Sequence, residues 1–156
     1  MFASDFSHPM LVTASQKTKR ARIFEADALC LPVLDASFDL ISVAFGFRNL
    51  ANYRRGLQEL LRVLRPGGTL AILEFSQPPN RLWSMLYEFY SKAILPTVGG
   101  LISGSREAYA YLPESVRKFP GAELLATQMR ETGYADVRFE RLTGGIAALH
   151  IGCRKV

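Results

Sequence analysis

The stretch NYRRGLQELLRVLRPGGTLAILEFS, residues 52–76, predicts a helix, the end of that helix and a buried strand in direct succession. Asn52 is a favourable N-cap, and the leucines that follow it recur at the spacing of one helix face. Those leucines are Leu57, Leu60, Leu61 and Leu64. Pro66-Gly67-Gly68 predicts the end of the helix, and the apolar run TLAILEFS predicts a buried strand. The stretch therefore favours an α/β fold.

Further strands and helices are predicted on both sides of this stretch. Strands are predicted at 1–4, 21–26 and 38–45, with a closing hairpin of 135–142 and 145–154 around the turn Thr143-Gly144-Gly145. Helices are predicted at 8–20 after an N-cap at Ser7, at 81–95, within 105–120 with an interruption near Pro113, and at 121–134 with Gly133 as C-cap. This alternation predicts a mostly parallel, Rossmann-like sheet with helices on both faces and an antiparallel hairpin.

The composition is that of one globular domain. The chain has 156 residues, of which 49% are hydrophobic and 21% charged, which suits one sizeable core. The two cysteines make neither a disulfide framework nor a metal-ligand pattern, so no metal is predicted. Proline and glycine residues break the longest apolar stretches, and no signal-peptide pattern is present. A cytoplasmic location is expected.

The most basic segment is KTKRAR, residues 17–22, in a chain whose net charge is +5. A solvated helix end explains this segment best, because lysine and arginine favour that position. Contact with an anionic membrane surface is the alternative. Nucleic acid is not expected as a partner, because the other basic residues are scattered and no nucleic-acid-binding signature is present.

Acidic residues follow the first two predicted strands, at Asp5 and Asp27. Ligands of open α/β sheets bind beyond the carboxyl ends of the strands. Asp5 has the acceptor sites to hold both hydroxyls of a ribose, and Asp27 can accept from an adenine amine beside the Ala28 N–H. Each acid also has a structural interpretation, Asp5 as a helix cap and Asp27 as a turn residue. Their order on successive strands favours a nucleoside pocket.

The third predicted strand ends in AFGFRN, residues 44–49. Gly46 allows the backbone to approach a ligand closely. Arg48 and Asn49 follow in a loop at the end of a strand, where functional side chains concentrate. Arg48 has the fork geometry that binds an oxyanion, and a surface ion pair is the alternative.

Residues 62–76, RVLRPGGTLAILEFS, resemble the signature of the ubiquinone/menaquinone C-methyltransferase (UbiE) family. The segments AFGFRNL at 44–50, YAYLPESVRKFP at 109–120 and TGGIAALHIGCRK at 143–155 are also similar to that family. The likeness covers nearly the whole chain. It implies a class I methyltransferase fold in a single, partial domain over 1–156, with a substrate-lid insertion around 79–119. It also implies S-adenosylmethionine as methyl donor and a polyprenyl benzoquinol or naphthoquinol as acceptor.

The resemblance assigns cofactor-binding roles to four residues. Asp5 matches the ribose-binding acid of the family, and Asp27 and Ala28 match its adenine-contacting pair. Ala44 matches a cofactor-lining position that is often serine. Peripheral membrane contact and a homo-oligomer are both compatible with the resemblance. The aromatic helix predicted at 81–95 is a candidate cover for the polyprenyl tail or a contact with the bilayer, and plain core packing is the alternative.

The same resemblance assigns the catalytic and substrate-binding positions. Arg48 and Asn49 match the segment that faces the methyl group and the quinol, and Arg48 is expected to stabilise the quinol oxyanion. The predicted substrate-binding residues are Tyr111, Ser115, Arg117, Phe119 and His150. A packed strand histidine is an equally good interpretation of His150.

Three features depart from the family pattern. Arg65 replaces a usual lysine, and Leu34 stands where proline is common. The family's first strand and its glycine-rich methionine-binding loop have no counterpart, and the chain contains no G-x-G. In this fold that strand lies between the strands ending at Asp5 and Ala44, so both are expected to lack a neighbour. An inactive remnant or interaction module is therefore one alternative, and another small-molecule methyltransferase of the same fold is a second.

Overall fold

The computed structural model describes residues 1–79 and 114–156 and shows two sheets. The first sheet consists of β1 (Phe2–Asp5) and β2 (Arg22–Glu25), which pair in parallel. The helix α1 (His8–Lys17) connects them, with Ser7 at its N-cap as predicted. This strand–helix–strand arrangement will be called the two-stranded unit.

The second sheet has four strands in the order β3-β4-β6-β5 and carries two helices, α2 and α3. Its strands are β3 (Phe38–Ala44), β4 (Leu64–Phe75), β5 (Tyr134–Leu142) and β6 (Ala147–Arg154), and its helices are α2 (Tyr53–Val63) and α3 (Ala122–Thr132). Strands β3 and β4 are parallel, whereas β6 is antiparallel to both β4 and β5. The predicted α/β class and the closing hairpin are confirmed. This sheet with its helices will be called the four-stranded unit.

The helix α2 begins as predicted but ends earlier than predicted. The Asn52 side chain accepts a hydrogen bond from the Arg55 N–H at 2.9 Å, which is the expected N-cap. The helix ends at Val63, and Leu64, which is completely buried, already pairs with Phe38 of β3. The prediction that Pro66-Gly67-Gly68 ends the helix was therefore wrong, because burial of Leu64 in the sheet interrupts the helix first.

The Pro-Gly-Gly segment instead forms an irregularity at the start of β4. The register shifts there, since Phe38 pairs with Leu64 but Leu40 pairs with Thr69. Gly67 has φ +77°, in the left-handed region that favours glycine. A Cβ atom on Gly68 would lie 2.8 Å from the Arg65 carbonyl oxygen, so a side chain there would collide with the backbone. These glycines therefore accommodate the irregularity between the two parts of β4 that pair with β3.

The core of the four-stranded unit lies between the sheet and its two helices. Leu57 of α2, Leu70 and Ile72 of β4, and Leu125 of α3 all have no exposed surface. The Tyr134 hydroxyl is buried among them and donates a hydrogen bond to the Leu57 carbonyl at 3.0 Å. Burial of this apolar surface is the main term that stabilises the unit.

The two sheets approach each other through aromatic rings. Phe2 at the start of β1 and Phe38 at the start of β3 pack edge to face, with ring centroids 5.8 Å apart. Within residues 1–79 and 114–156, β1 pairs only with β2, and β3 pairs only with β4. The amino ends of β1 and β3 are therefore in contact through these two rings, and no strand ladder joins β1 to β3 among the described residues.

The described residues contain no helix that is both long and apolar enough to cross a membrane. The helices predicted at 81–95 and over 105–113 lie outside the described residues. A short helical segment at 114–118 follows that gap and precedes α3.

Candidate active site

The carboxyl ends of β1 and β2 lie next to each other. Asp5 pairs with Glu25 in register, and the Ala26 N–H donates to the Asp5 carbonyl at 3.1 Å. His8, at the start of α1, contacts Glu25 through Nδ1 and Oε2, which are 2.8 Å apart. The pairing brings Asp5 and the loop that carries Asp27 to one edge of the sheet.

Asp5 is exposed at the end of β1 and makes one local hydrogen bond. Its Oδ1 accepts from the Ser7 N–H at 2.8 Å, which is the contact expected of an acid at a helix start. Oδ2 makes no hydrogen bond to residues 1–79 or 114–156. The carboxylate therefore keeps acceptor sites for a ligand while it stabilises the turn into α1.

Asp27 follows the end of β2 and, like Asp5, accepts a hydrogen bond from the backbone N–H two residues further along the chain. Its Oδ1 accepts from the Leu29 N–H at 2.8 Å, and its carbonyl accepts from the Cys30 N–H at 3.0 Å. The side chain is exposed, and Ala28 beside it is half-buried. The turn role predicted as the alternative for Asp27 is present, and the carboxylate stays accessible.

Arg62 and Glu59 of α2 hold the loop that follows Asp27. Glu59 Oε1 accepts from the Leu31 N–H at 2.7 Å, and the Arg62 guanidinium donates to the Leu31 carbonyl at 3.1 Å. Arg62 also pairs with Glu59 at 2.6 Å and with Asp35 at 2.5 Å. The hydrogen bond from Arg62 lowers the pKa of Glu59, and these carboxylates raise the pKa of Arg62. The network holds the loop between β2 and β3 against α2.

The carboxyl end of β3 contains an unusual backbone conformation. Phe45 has φ +56°, which is rare for a bulky residue and is concentrated at functional sites. Its N–H donates to the Leu73 carbonyl at 2.9 Å, and its ring packs on Phe75 with centroids 4.8 Å apart. These contacts hold the conformation, and the chain then turns through Gly46 into a short 3₁₀ helix, Phe47–Asn49. Ala44, before the turn, is exposed.

Arg48 forms a buried ion pair with Glu74, near the end of β4. The Arg48 side chain is 11% exposed and the Glu74 side chain 1% exposed, with Nη1 and Oε1 2.8 Å apart. The backbone N–H of Arg48 donates to the other carboxylate oxygen, Oε2, at 3.0 Å. A surface ion pair was predicted from the sequence as the alternative role of Arg48. An ion pair is present, but it is buried and does not lie on the surface.

The Arg48 guanidinium is held on several sides. Nη1 also donates to the Phe45 carbonyl, and the guanidinium carbon lies 5.2 Å from the centre of the Phe75 ring. Nε is buried and has no hydrogen-bond partner, and Nη2 makes no hydrogen bond within the described residues. Nε and Nη2 form the side edge of the guanidinium, which matches two acceptor oxygens or one shared oxyanion. Asn49 lies exposed next to this group.

The predicted substrate-binding residues occupy different environments. Phe119 is 3% exposed and packs against Phe47 and Tyr53, with ring centroids 6.3 and 5.2 Å away. Ser115 is buried and Arg117 is exposed on the short helical segment before it. Tyr111 lies outside the described residues. The structure therefore places Phe119 in the core that supports the Phe47–Asn49 turn.

His150 is buried in the middle of β6, under the start of α3. Its Nε2 lies 2.9 Å from the Ala122 carbonyl oxygen, and its ring stacks on Phe139 with centroids 5.4 Å apart. Burial lowers the pKa of His150. A neutral imidazole donating from Nε2 to Ala122 fits this position, and it is the packed strand histidine expected as the alternative.

Glu74 and Phe45 are site residues that the sequence reasoning missed. A signal for Glu74 was present, because a lone acid inside the apolar run TLAILEF requires a buried partner. The partner, Arg48, is 26 residues away in the sequence, and no local pattern links the two. The positive φ of Phe45 has no sequence signal, because glycine or asparagine is the usual residue in that conformation.

Solved structures with a similar fold include SAM-dependent methyltransferases. A SAM-dependent methyltransferase from Thermotoga maritima, described as a possible histamine N-methyltransferase, matches with a TM-score of 0.71 at 19% identity, over 97% of this chain and 72% of that one. A SAM-dependent methyltransferase from Aquifex aeolicus matches with a TM-score of 0.65 at 19% identity, over 99% of this chain and 68% of that one. These matches confirm the class I methyltransferase fold.

Curated relatives are more similar in sequence. A demethylmenaquinone methyltransferase of Thermus thermophilus is 49% identical over 97% of this chain and 70% of its own length. The ubiquinone/menaquinone biosynthesis C-methyltransferase UbiE of Paracoccus denitrificans is 42% identical over 95% of this chain and 62% of its own length. The chain thus spans about two thirds of the length of these relatives. The model of the ubiE/COQ5 methyltransferase family matches residues 1–154, and the chain belongs to that family, as its segment 62–76 predicted.

Proposed function

We propose that this chain takes part in the C-methylation of a polyprenyl quinol, with S-adenosylmethionine as methyl donor, in the biosynthesis of menaquinone or ubiquinone. Membership of the family supports this proposal, and so do the names of the relatives from Thermus thermophilus and Paracoccus denitrificans. The observation that carries it is the Arg48 guanidinium at the end of β3, whose Nε–Nη2 edge makes no hydrogen bond within the described residues.

The residues at the ends of β1 and β2 fit the nucleoside part of the cofactor. Asp5 and Asp27 are exposed, and each carboxylate engages only one oxygen in a local hydrogen bond. Asp5 would hold the ribose hydroxyls, and Asp27 with the Ala28 N–H would hold the adenine. Ala44 would line the same pocket from β3. When bound, S-adenosylmethionine supplies a methyl group on a sulfonium, which is electrophilic.

Arg48 would act on the acceptor. A quinol ring carbon becomes a better nucleophile as the neighbouring hydroxyl loses its proton, and a guanidinium stabilises the oxyanion that remains. Because arginine keeps its proton in proteins, Arg48 itself is not the base, and a water held by it would take the proton. Asn49 would contribute a further polar contact to the quinol, and Phe119 would act indirectly by supporting Phe47 from the core.

The position of the basic segment 17–22 is relevant to whether the protein contacts a membrane. The helix α1 starts after the carboxyl end of β1 and ends at Lys17, and β2 then starts at Arg22 in register with Phe2. The segment therefore lies at the edge of the sheet opposite Asp5. A membrane bound there would face away from the proposed cofactor site, which supports a solvated helix end. We therefore favour a cytoplasmic protein without a membrane contact through this segment.

Calorimetric titration with S-adenosylmethionine tests the cofactor part of the proposal. The expected result is binding by the 156-residue chain that weakens on the order of tenfold or more in Asp5→Ala, since a charged hydrogen bond to the ribose is lost. Asp39→Asn is the matched control, because Asp39 is exposed near the start of β3 and pairs with Arg65. Equal binding by both variants would contradict the role of Asp5.

Methyl transfer to a short-chain demethylated naphthoquinol and to the corresponding benzoquinol tests the reaction itself. Arg48→Lys is expected to reduce kcat roughly 10²-fold, because lysine keeps the charge but not the two-donor edge. Full turnover by Arg48→Lys would contradict oxyanion stabilisation by Arg48. The ratio of the two substrates' kcat/KM values gives the preferred acceptor.

A further inference from the structure

Glu74 is an acidic residue in a position that an apolar residue would fill. It follows Leu70 and Ile72 on the buried face of β4 and is itself 1% exposed. A buried ion pair contributes little stability compared with well-packed apolar residues of the same size, because desolvation offsets the attraction. Stability alone therefore does not account for a carboxylate at this position.

The Glu74 carboxylate fixes both the backbone and the side chain of Arg48. Oε2 accepts from the backbone N–H of Arg48 at 3.0 Å, and Oε1 accepts from Nη1 at 2.8 Å. Oε1 also accepts from the Phe75 N–H at 2.9 Å, which anchors the carboxylate on its own strand. A single side chain of β4 thus sets the position of the turn after β3 and the direction of its guanidinium.

The remaining contacts of Arg48 leave one edge of the guanidinium without a partner. Nη1 is occupied by Glu74 and by the Phe45 carbonyl, and the Phe75 ring covers one face. Nε is buried and has no hydrogen-bond partner among residues 1–79 and 114–156, and a buried donor is costly unless an acceptor satisfies it. The unused donors are therefore the Nε–Nη2 edge, which is the two-donor side of the group.

We propose that Glu74 is a positioning residue for the methyl acceptor. By holding Nη1 and the Arg48 backbone, Glu74 presents the Nε–Nη2 edge of Arg48 to an oxygen of the quinol, and so aligns the ring carbon for attack. This inference rests on the proposed function, since it assigns the quinol oxygen to that edge. Glu74 itself does not contact the quinol and does not exchange a proton with it.

The first test measures the arrangement without any turnover. Hydrogen exchange of the Arg48 Nε–H, observed by ¹H–¹⁵N NMR and identified by its absence in Arg48→Lys, is expected to be slow in the wild-type chain. Glu74→Gln is expected to accelerate this exchange, because a neutral amide no longer holds Nη1 by charge. Addition of a short-chain naphthoquinol is expected to shift the Nε–H resonance in the wild-type chain and not in Glu74→Gln.

The second test is a double-mutant cycle on methyl transfer. Glu74→Gln is expected to lower kcat on the order of 10- to 100-fold with little change in the KM for S-adenosylmethionine, because misplacement of a catalytic group affects the chemical step. Glu74→Gln/Arg48→Lys is expected to be no worse than Arg48→Lys alone, since Glu74 acts through Arg48. Tyr134→Phe is the control for a merely structural loss, because it removes a buried hydrogen bond to the Leu57 carbonyl that involves neither Arg48 nor Glu74.

The outcomes separate the two proposals. Additive losses in the cycle, or Nε–H exchange that is the same in Glu74→Gln and wild type, would overturn the positioning role. If the wild-type chain transfers no methyl group, the proposed function fails for this chain, and the exchange and resonance shift alone decide the role of Glu74. If Glu74→Gln does not fold, Glu74→Asp replaces it. Because aspartate keeps the carboxylate on a shorter side chain, we expect Nε–H exchange faster than in wild type and a loss of kcat smaller than that expected for Glu74→Gln.

Discussion

The four-stranded unit and the two-stranded unit differ sharply in how much apolar surface they bury. Leu57, Leu70 and Ile72 have no exposed surface in the first unit, whereas Leu11, at 7% exposed, is the only buried residue of α1 in the second. Phe6 and Met10 of the two-stranded unit are 77% and 60% exposed. Because burial dominates stability, the two units should open at different free energies. The proposed nucleoside-binding acids therefore lie on the less stable unit, and the proposed quinol-binding arginine lies on the more stable one.

The largest expected effect comes from a cavity in the four-stranded unit. Leu57→Ala should lower the free energy of unfolding by about 3–5 kcal/mol, because Leu57 is fully enclosed between α2, the sheet and Tyr134. Leu11→Ala, the matched change in α1, should cost less than about 2 kcal/mol because its surroundings are partly open. Urea unfolding followed by circular dichroism measures both. Equal losses would show that the two units are packed equally well.

The Arg62 network holds the loop that connects the two units, and breaking it should loosen that loop. Arg62→Gln should cost roughly 1–2 kcal/mol, since it removes hydrogen bonds to Glu59, Asp35 and the Leu31 carbonyl from a partly exposed site. It should also increase hydrogen exchange of the Leu31 amide, which Glu59 holds. Unchanged exchange at Leu31 would mean that the loop is held by other contacts.

The same network has a pH dependence with a definite sign. The pKa of Glu59 is lowered from 4.5 in the folded chain by the hydrogen bond from Arg62. The unfolded state therefore binds the proton first as pH falls, so the contribution of Glu59 is present above pH 4.5 and lost below it. Urea midpoints measured on both sides of that pH should converge for wild type and Arg62→Gln at the acid end.

A smaller, pH-dependent effect is expected at His150 within the four-stranded unit. Burial lowers the pKa of His150 below 6.5, so the unfolded state takes up the proton more readily than the folded state. Stability should therefore fall as pH drops below 6.5, and His150→Gln should reduce that dependence while keeping a donor for the Ala122 carbonyl. Thermal unfolding over this pH range gives the slopes. An identical slope in His150→Gln would assign the dependence to other groups.

The smallest effect is expected at the surface of β3. Asp39 and Arg65 pair at 2.8 Å, but their side chains are 80% and 53% exposed. Asp39→Asn should change the free energy of unfolding by less than about 0.5 kcal/mol, because exposed ion pairs are weak and screened by salt. Melting temperatures at low and high salt measure it. A loss as large as that of Arg62→Gln would contradict the ranking of these sites by burial.

The parts of the fold that the sequence predicted correctly depend on local chemistry. The Asn52 cap, the left-handed Gly133 at the end of α3 and the turn Thr143–Gly145 are all read from neighbouring residues. The end of α2 was predicted too late because burial of Leu64 depends on the sheet.

The candidate site could be predicted only in outline, for the same reason. The strand ends that carry Asp5, Asp27 and Arg48 follow from the alternation of strands and helices. The Arg48–Glu74 pair joins two different strands, and its burial depends on packing that no local pattern records. The hydrogen bonds of Asp5 and Asp27 to Ser7 and Leu29 are local, and they match the structural interpretations that were open for both acids.

The strand order of the four-stranded sheet also determines when its strands can pair during synthesis of the chain. Strand β6 lies between β4 and β5 but follows both in the sequence. A nascent chain on the ribosome therefore carries β4 with one edge unpaired until residues 147–154 have emerged. Strand β4 carries apolar residues such as Leu70 and Ile72, and an unpaired edge on an apolar strand is a target for aggregation. Chaperone binding during translation should accordingly be strongest after β4 has emerged and end when β6 is inserted.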